Sequence, residues 1–404
     1  MMLASDPVAA LEPEPAPPPA ADSSTITVRA PAASSAPVAP VPALTPIVPE
    51  PRVPSPLPEI AAIFPGVLLH GAGAWLQHRD QTAQRLLLLE GAAVLTTFAS
   101  GFVLLQTGAA RDVVGPAALG AVAGVGGFGT SLAANLYATW APRRGFGEPL
   151  RRVPLLESSA GYLYVYDPQF DYRHFATAQV VARPAAWRIG ANLAWAPGRE
   201  NQRFELLAGY RVLGPRGKGD PAASDGSYLE PRLGFSAHRF ERDGFSSRVI
   251  ELALEGRLDV ERYLPDVHGA FFQGEAGYAR QVIVNDLPGP NPATWTSLLL
   301  ARVGFGIYLG NRASSDTAPG DGDAADEVAG HPAHGQTGGE VQLYYDHRHD
   351  GFAGGLKVNG LGSGVAGHFG LLGSYQLTPE WGVRLRTEAG SAYTLGVDAV
   401  LRTW

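Results

Sequence analysis

The chain has 404 residues with 45% hydrophobic and 17% charged side chains, 50 glycines, 34 prolines, no cysteine and a formal net charge of -7. The absence of cysteine excludes a disulfide framework, a thiolate zinc site and a cysteine nucleophile. The mildly acidic balance, with Lys218 and Lys357 the only lysines, argues against a nucleic-acid surface, which needs clustered cations.

Residues 1–58 hold nearly half of the 34 prolines, in runs such as 13–19 and 49–56. Proline removes backbone donors and no apolar period runs through the stretch, so it reads as a disordered Pro/Ala-rich arm. The start, Met1 to Asp6, carries neither the basic nor the apolar region of a secretory signal, so export would place the true start upstream.

Residues 59–145 form a hydrophobic helical region. No charge occurs between Glu90 and Arg111, nor between Asp112 and Arg143, and each run reaches the roughly 20 residues that span a bilayer as a helix. Two helices in a hairpin are expected, with Arg111-Asp112 at the turn and a shorter interfacial helix upstream between Phe64 and Trp75. The runs are rich in Gly, Ala and Thr, so their insertion is weakly favourable. Gly120, Gly124 and Gly127 offer close helix contacts, and the hairpin is expected to pack on protein at the periplasmic end or in a barrel mouth. Gly124-Val-Gly-Gly-Phe-Gly129 satisfies GxGxxG but lacks the preceding strand and following acid of a dinucleotide site, so helix packing explains it better.

From residue 150 to 404 the period becomes two. Ile250, Leu252, Leu254, Leu258 and Val260 alternate with Glu251, Ala253, Glu255, Arg257 and Asp259, the template of a strand with one apolar face. The same split runs from Gln202 to Val212 and from Leu229 to His238. Further strands are expected near Glu157, Arg173, Trp187, His268, Trp295, Glu340, Phe352, Val365, Trp381 and Tyr393, about 12 or 13 in all. Their length suits a tilted bilayer crossing. Short turns are expected on one rim and long loops, such as Gly214–Gly226 and Gly310–Gly339, on the other. Trp187, Trp195, Trp295, Tyr308, Tyr345, Tyr375 and Trp381 fit membrane-interface aromatics; the competing reading is the core of a soluble β-sandwich.

With these alternating segments and the ending Ser391 to Trp404, in which Tyr393, Leu395, Val397, Ala399 and Leu401 alternate, the chain resembles Gram-negative outer-membrane β-barrel proteins. The resemblance implies an antiparallel transmembrane β-barrel of about 12 strands, an outer-membrane location, and the lipid bilayer and the barrel assembly machinery as partners. In such proteins a terminal aromatic helps recognition by that machinery; here Trp404 falls out of phase with its strand. It identifies no subfamily.

The inward set comprises Arg203, Glu205, Arg211, Glu230, Arg232, Glu251, Glu255, Arg257, Asp259, Gln273, Glu275, Arg302, Arg384, Arg386 and Glu388. Mixed signs favour a narrow or plugged lumen over a wide pore with rings of one sign. The functional expectation is a structural role, or passage or binding of a small solute; a periplasmic partner for the Pro-rich arm is the other candidate interaction. Two rivals remain: a barrel enzyme acting on lipid through His347 or His349, and an inner-membrane protein with two helices and a periplasmic β domain. In Tyr344 to Gly351 both histidines share one strand face, but Asp350-Gly351 is a hairpin signal that would put them in water at a solvated tip. Between Ser314 and Gly339, Asp316, Asp321, Asp323, Asp326, Glu327, His331 and His334 lack cation-loop spacing and read as a surface loop. No catalytic, cofactor-binding or metal residue is assigned.

Overall fold

The computed structural model describes residues 56–108, 111–140, 153–168, 173–198, 201–216, 226–240, 244–265, 267, 269–285, 294–310, 338–356 and 367–404. Most of the Pro-rich arm and the acidic segment after residue 310 lie outside these residues.

Twelve strands form the sheet: β1 Leu156–Tyr166, β2 His174–Ala182, β3 Trp187–Ala196, β4 Asn201–Tyr210, β5 Tyr228–Phe240, β6 Phe245–Asp259, β7 Ala270–Asn285, β8 Thr294–Gly310, β9 Gly338–Asp346, β10 His368–Gln376, β11 Trp381–Ala389 and β12 Tyr393–Thr403. Every neighbouring pair is antiparallel, and β1 pairs with β12 from Leu156↔Thr403 to Tyr166↔Tyr393, closing the barrel. Closure pairs the backbone of both terminal strands, which an open sheet would leave as edges. The thirteenth candidate strand, near Phe352, does not form; that segment leaves the sheet after β9.

Alternation sets the two faces. Ile250, Leu252 and Leu254 stand 57%, 64% and 46% exposed on the outside, while Glu251 and Glu255 between them are buried inside. Apolar side chains outside and charged ones inside invert the arrangement of a soluble sandwich, whose apolar faces meet each other. Exposed aromatics occupy both ends of the outer wall: Trp187, Tyr210, Tyr375 and Trp381 near one rim, Trp195, Trp295, Tyr166 and Tyr393 near the other. Tyr308 departs from the expected belt. It shares parity with Arg302 on β8, points inward at 3% exposure, and stacks on Phe271 at 4.8 Å between centroids.

Because strands alternate in direction, β1 starts and β12 ends at one rim, here the terminal rim. The connections after β4 and β8 both leave from it, but so do the short turns after β2 and β10, and the long connection after β9 leaves from the opposite rim. Loop length therefore does not separate the rims as expected. Trp404 sits at the terminal rim, where its indole N–H donates to the Pro379 carbonyl at 3.1 Å.

Among the described residues four α-helices precede the strands: α1 Leu57–Ile63, α2 Ala72–Leu76, α3 Asp80–Gln106 and α4 Arg111–Trp140. The expected interfacial helix at 64–75 is helical only from Ala72, in α2; residues 64–71 form turns, and α1, with proline in its first turn, lies wholly upstream. α3 starts at Asp80, about three turns before the uncharged run that follows Glu90, and so takes in Asp80, Arg85 and Glu90. Both α3 and α4 are long and apolar enough to cross a membrane. They run antiparallel, and the glycines of α4 divide between two faces. A methyl added at Gly120 would meet Ser100, at Gly124 the Thr97 hydroxyl and Ala93 carbonyl, and at Gly127 the Ala93 methyl, all on α3. At Gly126 it would meet Val303 and Phe272, and at Gly129 the Phe305 ring, on β7 and β8. The GxGxxG glycines thus serve helix packing.

The hairpin lies against the outer wall of β7 and β8 and not in the barrel mouth. Small outward residues there, Ala270, Gly274, Ala276 and Ala301, give α4 a shallow seat. At the terminal rim Leu86, Ala133, Ala134 and Ala138 pack with Val260, Leu264, Val267 and Ala270, and the Tyr137 hydroxyl donates to the Tyr308 carbonyl. Asn135 ties α1 and α2 to α4: its amide donates to the carbonyls of Ala62 at 2.9 Å and Gly66 at 3.3 Å and accepts from the Gly71 N–H at 2.9 Å. The buried His70 N–H donates to Glu90 at 2.8 Å, which gives that buried carboxylate a partner.

Candidate functional site: the barrel lumen

The inward positions bring both charge signs into bonding distance. Arg232 donates to Glu251 at 3.2 Å, Glu255 at 3.3 Å and Glu275 at 2.6 Å. Their side chains are only 9%, 9%, 7% and 5% exposed, so these ion pairs are buried. Glu255 also accepts from Tyr228 at 2.6 Å and Arg188 at 3.4 Å. Arg257 forks onto both Glu340 oxygens at 2.7 and 3.2 Å, the bidentate geometry suited to guanidinium and carboxylate. On the other side of the barrel Glu157 holds Arg384 at 2.5 Å and Arg402 at 2.9 Å. Residues on non-adjacent strands, such as Arg257 on β6 and Glu340 on β9, thereby meet. Only closure of the sheet makes such pairs.

Aromatic rings join this network. Arg302 stacks 3.8 Å from the centroid of Tyr344, whose hydroxyl donates to Glu388 at 2.8 Å, and Thr394 donates to the second oxygen of the same carboxylate at 3.1 Å. Arg257 lies 4.1 Å from the Phe271 centroid.

The segment after β9 corrects the expected solvated hairpin tip. Arg348 donates to Glu251 and, at 3.3 Å, to Asp350. Arg203 donates to the Asp350 carbonyl and, at 3.3 Å, to its carboxylate. Burial by itself would raise the Asp350 pKa, but the guanidinium groups of Arg348 and Arg203 outweigh it and hold the carboxyl down at about 2. Phe352 follows, 4.7 Å from Phe175 and 5.1 Å from His238 between ring centroids, beside a buried cluster of Leu163, Val165, Ala194 and Ala196. The turn signal at Asp350-Gly351 is thus used inside the barrel. Local sequence shows the turn and not the partners that draw it in.

His347 and His349 do come together, with centroids 5.0 Å apart. Burial lowers the pKa of both, against the opposing influence of Asp346 on His347. His347 bonds the Tyr345 hydroxyl at 2.9 Å. Among the described residues neither imidazole bonds a serine hydroxyl, and no group of three or more potential ligands could hold a metal ion. The acidic segment from Asp316 to His334 lies outside the described residues.

No known family's sequence profile matches the chain. No curated protein is similar to it in sequence. Among solved structures, the KdgM porin is similar at 12% identity and a TM-score of 0.32, covering 61% of this chain and 99% of its own. The translocator domain of the autotransporter NalP from Neisseria meningitidis gives 11% identity and a TM-score of 0.31, covering 62% and 89%. The Acinetobacter baumannii outer membrane protein Omp33 gives 12% and 0.28, covering 62% and 98%.

Proposed function

We infer that the chain is an outer-membrane barrel whose lumen is closed at rest by its own side chains and by residues 347–354. Small solutes pass or bind only where these groups give way. The reading rests above all on one observation: Arg203 and Arg348 hold Asp350 across the barrel interior while Phe352 fills the space beside them. An aqueous pore would leave those groups hydrated, and an exposed ion pair contributes little there, about 0–1 kcal/mol. Support for the membrane setting comes from the apolar outer wall with aromatics at both ends.

Single-channel recording in planar bilayers tests it. The unaltered chain should show small or rare openings, and Asp350→Ala combined with Phe352→Ala should raise open time and conductance. A large steady conductance from the unaltered chain would refute a closed lumen. Membrane fractionation of intact cells tests location: recovery in the inner membrane would instead favour the two-helix anchor reading.

A further inference from the structure

A cavity of about 560 Å³ opens outside the barrel, between the helical hairpin and the wall. It falls within the roughly 300–1,000 Å³ of small-molecule sites. Leu88 and Leu89 of α3, Ala123 of α4, Leu264 and Phe272 give it apolar walls. Its polar lining groups are nearly all occupied. The Thr130 hydroxyl donates to the Gly126 carbonyl at 2.9 Å, and the inward Asp259 carboxylate accepts from the N–H of Gly226 at 3.2 Å and of Glu261 at 3.3 Å. Besides the exposed Tyr263, which stands at the same rim, Arg85 is the exception. It is exposed, and one of its five N–H donors reaches the Tyr263 carbonyl at 3.2 Å.

Arg85 stands at the terminal-rim end of the cavity, beside the short turn Val260–Arg262, whereas Leu88, Leu89 and Phe272 line it further along the wall. A water-soluble ligand would need several convergent polar groups, which this lining does not offer. One cation at the rim above an apolar trough matches a single molecule with a charged head and a hydrocarbon tail. We propose that this cavity holds one acyl chain of an anionic glycerophospholipid, with its phosphate on Arg85 and its tail between the hairpin and the barrel wall. The bound lipid fills the gap left where Ala123 and Gly127 offer little side chain, and so couples the helices to β6 and β7. The proposal rests on the barrel lying in a membrane but not on the state of its lumen, so conductance results leave it untouched.

Native mass spectrometry of the full chain tests it, after release from nanodiscs holding equal amounts of palmitoyl-oleoyl phosphatidylglycerol and phosphatidylcholine. One phosphatidylglycerol per chain should persist at about fivefold over phosphatidylcholine, the ratio for one arginine acting on an anionic lipid near a membrane surface. Arg85→Gln should equalise the two lipids, and Ala123→Phe, which fills the cavity, should lower retention of both. Equal retention of both lipids by the unaltered chain, or an unchanged preference in Arg85→Gln, overturns the proposal. If Ala123→Phe loses its heat-modifiable gel shift, and with it the fold, the exposed Arg85 decides alone. Recovery of the chain outside any membrane would overturn the functional reading instead.

Discussion

Replacing Arg232 by methionine tests whether the lumen is packed or wet. The change removes a cation bonded to Glu251, Glu255 and Glu275 and leaves a side chain of similar length. Glu251 keeps Arg348, and Glu255 keeps Arg188 and Tyr228, but among the described residues Glu275 is left with no hydrogen-bond partner. In a solvated lumen the loss is that of an exposed pair, about 0–1 kcal/mol. In a desolvated one, breaking a buried pair costs about 3–5 kcal/mol because a bare charge stays behind. The partners retained by Glu251 and Glu255 put the expected value near the lower end, about 3 kcal/mol. Reversible urea unfolding in detergent micelles, followed by the heat-modifiable gel shift and strand circular dichroism, gives the number. Adding Glu275→Gln should recover much of the loss, since the orphan is then neutral, and the double-mutant cycle isolates the pair. A loss below about 1 kcal/mol for Arg232→Met, with no recovery in the double variant, would refute the packed lumen.

Other outcomes follow from the two faces, the hairpin and the inward segment. Leu254→Arg puts a cation on the apolar outer wall and should destabilise the barrel by about 2–4 kcal/mol when the same unfolding is run in lipid vesicles, whereas Leu254→Ile should be nearly neutral. Gly124→Leu would drive a side chain into the Ala93 carbonyl and Thr97 of α3, and Gly129→Leu into Phe305 of β8. Cysteine crosslinking in the cysteine-free background should therefore show the first loosening α3 from α4 and the second lifting α4 from the barrel, both with strand content intact. Asp350 has its pKa depressed from 3.8 to about 2, so its hold on Arg203 and Arg348 is complete above the ordinary carboxylate value and fades as pH falls through about 2. Channel opening should rise over that acidic window in the unaltered chain, and the rise should be smaller in Asp350→Asn, which has already lost the carboxylate's hold.

Period two was legible at single-residue resolution because a barrel wall has two chemically opposite sides. Leu254 and Glu255 had to face opposite ways whatever their strand neighbours were. The inward set followed from the same parity, and so could the inward turn of Tyr308, which keeps step with Arg302 along β8. The two long apolar helices were visible from their missing charges, although α3 runs back past Glu90, whose buried carboxylate accepts from the backbone N–H of His70, a partner that a count of charges does not see.

The tertiary structure decided what depends on distant partners. Nothing near Gly124 or Gly129 says that one faces α3 and the other β8; that division exists only once the hairpin lies on the wall. Local rules place Asp350-Gly351 at a water-exposed turn, but Arg203, 147 residues away, and Glu251, 97 residues from Arg348, supply the charges that make burial favourable. The physical reason is one of range. Amphipathic period is imposed residue by residue by the two media a strand separates, so it is written locally. Ion pairs across a lumen and the seating of a helix on a sheet come into being only when strands far apart in the chain have closed the barrel.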